Sequence, residues 1–192
     1  MRLRDENKRK LIVQTAVKLF SEQPFNKVRL DDVAEAAGVG KGTVYIYFKN
    51  KEELYYSLVY EGLAESVERF RSRLAQPGLS FRDKIHAAAE ELVDYGIRYP
   101  QFFEILRTVG IPDAGSSWDA KRTEYCDLVV EVIRQGNLAG EFDDPRPEWT
   151  ANYLSASVRA TMLYVGGIAD GKEFANHLVR VIVDGIAKKQ AK

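Results

Sequence analysis

Apolar residues recur along this chain at spacings of three and four, and that spacing predicts helices almost from end to end. Leu11, Ile12, Ala16, Leu19 and Phe20 line one face of a first helix over about Asp5–Ser21, with Lys8, Lys10 and Lys18 elsewhere around the turn. Pro24 in EQPFNK breaks it, since proline removes a helical hydrogen bond and clashes with the preceding turn. A very short second helix fits Leu30–Ala37, with Leu30, Val33, Ala34 and Ala37 on one face and Gly38 placed to end it. A third fits Lys41–Phe48, and KNKEEL opens a long fourth, Lys51–Ala75, whose Glu52 and Glu53 suit the positive end of the helix dipole. QPGLS, residues 76–80, closes it. The same period continues over Phe81–Arg98, Gln101–Val109, Ser117–Gln135, Pro147–Val165 and Gly171–Lys189, with Pro100, IPDAGSS, GNLAGEFDDPRP and GGIADG between them. No alternating strand and no repeat emerges, so the expected fold is all-α with about nine helices.

Composition narrows the class. A chain of 192 residues that is 45% hydrophobic can close a sizeable core. MRLRDENKRK leads into an amphipathic pattern rather than a signal peptide, and no apolar run approaches a membrane span, so a cytoplasmic protein is expected. Cys126 has no partner for an internal disulfide, and with only His86 and His177 beside it there is little from which to build a metal site. No cofactor or metal is expected, Cys126 reads as a buried thiol, and both histidines read as structural or surface groups. No nucleophile elbow, phosphate-binding glycine loop or histidine–carboxylate spacing appears, which argues against an enzyme. The net charge of zero hides an asymmetry: residues 1–51 hold 11 Lys and Arg against 6 Asp and Glu, and the remainder holds 17 against 22. A basic head on an acidic body suits a head that meets a polyanion.

The stretch VGKGTVYIYFKNKEEL, residues 39–54, carries the chemistry. Two short helices joined by a glycine turn form a helix-turn-helix arrangement. If Val44 and Phe48 face inward with Val39, then Lys41 and Tyr45 share another face, with Thr43 and Tyr47 beside them. Tyrosine hydroxyls and Lys41 can reach phosphates or base edges, while Gly40 and Gly42 let the backbone approach closely and the helix start offers N–H groups. Lys51 would grip the same backbone. A small helical domain with Tyr45 and Tyr47 partly buried remains the alternative on these residues alone.

Residues 19–54, LFSEQPFNKVRLDDVAEAAGVGKGTVYIYFKNKEEL, resemble the DNA-binding domain of the tetracycline-repressor (TetR) family of bacterial transcriptional regulators. The resemblance implies a DNA-binding domain over residues 1–50 and a helical effector-binding and dimerisation domain over 51–192. It implies DNA contacts at Gly40, Lys41, Gly42, Thr43, Tyr45, Tyr47 and Lys51. Two positions depart from the family pattern: Arg29 stands where Ser or Thr is common, and Gly40 where Ser is common. Arg29 would exchange a hydroxyl–phosphate bond for a longer-reaching ionic one, and Arg2 and Arg4 would follow the backbone as an arm.

The last two predicted helices carry apolar stripes, one of Leu154, Val158, Met162 and Val165, the other of Phe174, Leu178, Val181 and Ile182. By resemblance they form a four-helix homodimer interface, setting two recognition helices on an inverted-repeat operator. The middle helices are rich in aromatics. By the same resemblance Tyr95, Phe102, Phe103, Leu106, Trp118, Tyr125 and Tyr153 are the expected lining of a pocket for an apolar or aromatic small-molecule effector, with core packing the other reading for each ring, and Glu104 and Arg107 either orient a polar group there or face solvent. The expected protein is a dimeric repressor released from DNA by its effector. The alternatives are a DNA-binding protein of the same fold without small-molecule input, and a helical adaptor that binds only protein.

Overall fold

Several helices start where a side chain satisfies amides of the first turn, which have no partner within the helix. Asp5 accepts from the amides of Asn7 and Lys8, Asn50 from Glu53, Ser80 from Asp83, and Ser116 from Asp119. In the computed structural model, which describes residues 5–100, 102, 116–165, 168 and 170–186, these caps open four of eight helices. The helices are α1 (Glu6–Glu22), α2 (Leu30–Ala36), α3 (Lys41–Tyr47), α4 (Lys51–Leu74), α5 (Phe81–Arg98), α6 (Ser117–Ala139), α7 (Pro147–Tyr164) and α8 (Gly171–Ile186). Among the described residues there is no strand. The helix expected over Gln101–Val109 lies outside the described residues apart from Phe102.

α1, α2 and α3 form the head. Ile12, Val13, Ala16 and Phe20 of α1 share one buried core with Val33 and Ala34 of α2 and Val44 of α3. α4, about 36 Å long at 1.5 Å per residue, then runs from the head into the body. Near its start Tyr55 meets Phe20 and Phe25 edge-on, at 4.9 and 5.4 Å between ring centres. Further along, Leu63, Val67 and Phe70 are buried in the body, where α4 packs on α5 and α6. The boundary expected between residues 50 and 51 thus falls at the start of a helix that serves both halves. α5 packs against α4, α6, α7 and α8 and is the hub of the body.

Two helical glycines are set by close packing, and one of them lies at a departure from the simple periodic reading. α6 was expected to stop at Gln135 before GNLAG, yet it continues to Ala139. Gly136 does not break it because a side chain there would strike the Phe142 ring, 2.3 Å from where a Cβ would sit; the glycine is required for packing. Gly62 on α4 is similar, with the Tyr99 ring 2.2 Å from the position of a Cβ. Among the described residues no helix is long and apolar enough to cross a membrane.

Candidate nucleic-acid interface

The turn between α2 and α3 is fixed by backbone bonds. Gly38, at φ +64°, takes the left-handed conformation that side chains resist. Its N–H donates to the Glu35 carbonyl at 3.1 Å, and the Val39 N–H reaches back to the Ala34 carbonyl at 3.0 Å. This pairing closes α2 and turns Val39 inward against the core. α3 then needs only two anchors, Val44 and Phe48, both buried. Of the seven residues of α3 only Val44 is fully buried, and Thr43 and Tyr47 are half-buried, so the others face out: Tyr45 is 53% exposed and Ile46 61% exposed. Gly40, Lys41 and Gly42 are exposed beside them. A Cβ at Gly42 would meet nothing within 4 Å, so the protein's own packing does not require glycine there.

Electrostatics within this face are local. Lys41 Nζ donates to Asp31 Oδ2 at 2.8 Å, and that hydrogen bond, followed by the carboxylate's charge, raises the lysine pKa. Both groups face solvent, where such a pair contributes little to stability; its effect is to hold the ammonium over the α2–α3 face. Arg29 precedes α2 with no hydroxyl to offer, so its side chain makes no cap. Asp32 instead accepts from the Arg29 N–H at 2.8 Å, half of the reciprocal pair that a serine would complete.

Two residues expected to meet DNA are occupied within the protein. The Tyr47 hydroxyl accepts from the Asp5 N–H at 2.9 Å and donates to the Asp5 carbonyl at 3.0 Å. Asp5 also caps α1, so Tyr47 clasps the end of α3 to the start of α1. Lys51 Nζ donates to the Phe25 carbonyl at 2.7 Å and lies 4.3 Å from the centre of the Phe25 ring. These contacts brace the turn after α1.

In the body, Tyr95, Phe102, Trp118, Tyr125, Leu63, Leu92 and Val158 border a small cavity of about 40 Å³, with Arg122, Ser155 and Arg159 completing the described lining. The buried polar tips are satisfied: Tyr95 donates to the Val59 carbonyl at 3.1 Å and accepts from Trp118 Nε1 at 3.2 Å, and Tyr125 donates to the Ala88 carbonyl at 2.8 Å. Burial pushes the Tyr95 and Tyr125 hydroxyls and the Cys126 thiol above their ordinary pKa values.

The residues matching the family model for bacterial regulatory proteins of the tetR family are 12–58, from within α1 through α2 and α3 into α4. The chain is also 33% identical over 151 residues to an uncharacterised HTH-type transcriptional regulator, YhgD of Bacillus subtilis, spanning 76% of this chain and 77% of that protein. The chain belongs to the TetR family. It is 29% identical over 141 residues to the HTH-type transcriptional repressor NicS of Pseudomonas putida, covering 69% of this chain and 65% of that one. Among solved structures, a TetR/AcrR-family regulator from Thermobifida fusca superposes with a TM-score of 0.75 at 25% identity, over 93% of this chain and 98% of that one. The fold is also shared with FadR from Bacillus subtilis, solved in complex with stearoyl-CoA, at a TM-score of 0.72, 18% identity, and coverage of 92% and 98%. It is a transcriptional regulator of this family, and its relatives point to no enzymatic activity.

Set on this TetR-family frame, the expected site residues separate. Arg29, Gly40, Lys41, Gly42 and Tyr45 lie exposed on the head, with Thr43 half-buried between them. Tyr95, Phe102, Trp118 and Tyr125 come together around the cavity. Tyr153, expected there too, points away and is 61% exposed, because α7 turns Leu154 and Val158 inward instead. Those two and Leu178, expected between protomers, are buried in the protomer's own core, while Met162, Phe174 and Ile182 are half-buried against it. Val165 and Val181 are exposed. Phe103, Glu104, Leu106, Arg107, Arg2 and Arg4 lie outside the described residues.

Sequence reasoning missed two features. Ile46 is outward because it sits two positions from Val44, about 200° around the helix, a signal that was present. The outer face of α7 carries Trp149, Tyr153 and Tyr164, all exposed and spaced at near-whole turns. It lies on the opposite side from the inward stripe that the periodicity picked out.

Proposed function

We propose that this TetR-family regulator is a homodimeric repressor that binds an inverted-repeat operator through α3 and is released by a small-molecule effector held in the body. The observation that carries the DNA reading is the outward face of α3: Lys41, Tyr45 and Ile46 exposed on a helix held by Val44, Phe48 and the Tyr47 clasp. A lysine and a tyrosine hydroxyl donate to phosphates or base edges, and an exposed isoleucine beside them suits a thymine methyl. Arg29, at the start of α2, extends the positive edge. Gly40 and Gly42 let that edge approach the DNA backbone, since neither is needed as glycine by the protein's own packing.

The outer face of α7, with Trp149, Tyr153, Tyr164 and Val165, is the surface we assign to the partner protomer, together with Val181 of α8. Exposed aromatics at helical spacing match the apolar centre that stable homodimer interfaces bury. Two-fold pairing there would set the two heads on successive turns of one DNA face, about 34–36 Å apart. Effector release is supported by the cavity and by the stearoyl-CoA complex of the FadR neighbour. The small size of the cavity favours a second reading, a DNA-binding member that takes no small molecule.

Selection of bound duplexes from a random pool tests the proposal. Enrichment of an inverted repeat, with affinity falling steeply between 50 and 200 mM salt, is the expected result. Weak and uniform binding of all duplexes would overturn it.

A further inference from the structure

The cavity in the body is apolar on most sides, yet two guanidinium groups border it, Arg122 from α6 and Arg159 from α7. Arg122 is already neutralised: its Nη2 and Nε donate to Asp119 Oδ1 at 2.9 and 3.2 Å. Arg159 is half-buried, and among the described residues no ion pair or hydrogen bond reaches it. Among the described residues the site therefore holds two cations and one carboxylate. A guanidinium partly removed from water without a partner is unfavourable, and a planar carboxylate matches its donor fork.

We propose that the cavity takes a small monoanionic carboxylate with an apolar or aromatic body, its carboxylate received by Arg159 and its body by Phe102, Trp118, Leu63 and Leu92. This rests on the effector reading above and gives it a chemical class. A volume of about 40 Å³ holds only two or three waters, so the ligand's body makes room by displacing side chains at the cavity wall. Leu63 belongs to α4, the helix that continues into the head, and an enlarged cavity pushes on that helix directly. Ser155, on the same face of α7 as Arg159, is placed to donate to the second carboxylate oxygen.

The test measures binding to the full-length protein without DNA, by calorimetry, using octanoate and 3-phenylpropionate against 1-octanol and 3-phenylpropanol. The carboxylates are expected to bind about ten- to a hundredfold more tightly than the matching alcohols, the discrimination a charged hydrogen bond supplies. Arg159→Met should remove this preference, and Arg159→Lys should restore part of it, which separates a lost charge from a lost fold. Equal binding of acid and alcohol, a preference that survives Arg159→Met, or no binding of either acid at millimolar concentration overturns the proposal. Carboxylate binding that leaves operator affinity unchanged would instead overturn the release mechanism and leave the cavity assignment standing.

Discussion

The head and the body use tyrosine for opposite purposes. In the body, Tyr95 and Tyr125 are buried, and each hydroxyl is consumed by a backbone carbonyl of a neighbouring helix, so these rings are walls held in place by their tips. In the head, Tyr45 stands on a helix too short to bury it, with its ring more than half in solvent. The difference follows from element size. α5 and α6 have neighbours on several sides, whereas α3 offers the core only Val44 and Phe48. An aromatic residue is therefore a packing group or a contact group according to how much helix surrounds it, and Tyr47 shows the intermediate case.

The largest expected effect is the contrast between Tyr125→Ala and Tyr45→Ala. Emptying the Tyr125 site should destabilise the protein by about 3–5 kcal/mol in chemical denaturation, whereas Tyr45→Ala should stay within about 0.5 kcal/mol while operator affinity drops. Equal stability losses would erase the distinction between the two regions. Next, Tyr95→Phe leaves the Val59 carbonyl and Trp118 Nε1 without their partner and should cost about 1–3 kcal/mol, measured the same way.

Tyr47→Phe is expected to cost about 0.5–1.5 kcal/mol, because its two bonds to Asp5 are near solvent. Its effect on operator affinity should be secondary to this loosening of the head. Lys41→Ala should leave stability unchanged and lower the slope of log affinity against log salt by about 1. The smallest effect is with pH. Tyr95 and Tyr125 have pKa values raised by burial, so the folded state resists ionisation that the unfolded chain undergoes from about 10. Their stabilising contribution is complete below that value and is lost as pH rises beyond it. Tyr125→Phe should flatten this alkaline fall, read as denaturation midpoint against pH.

Much of this was legible because local rules and global packing agree. Helix extents followed from the three-and-four spacing of apolar residues between breaks such as Pro24 and QPGLS, and the α2–α3 turn from Gly38, whose backbone demand is local. The inward pair Val44 and Phe48 followed from spacing in a helix too short to have two buried faces. The misreadings arise where a residue's role depends on a distant partner. Gly136 looks like a helix breaker until Phe142 folds onto it. Lys51 and Tyr47 are expected at DNA, and the bonds that also tie them to Phe25 and Asp5 within the head are not visible in the sequence. On α7, both the inward stripe of Leu154 and Val158 and the outward one of Trp149 and Tyr153 have helical period. Periodicity alone cannot say which side meets the protein's own core.

The way α3 is held has a consequence for how such a protein can diverge. Its orientation is set by Val44, Phe48 and the Tyr47–Asp5 clasp, and none of these groups shares the outward face with Lys41, Tyr45 and Ile46. The surface we propose to meet DNA is thus mechanically separate from the bonds that keep the helix in place. On that proposal, substitutions at 41, 45 and 46 re-address the regulator to another site one step at a time, with the folded scaffold indifferent to each step.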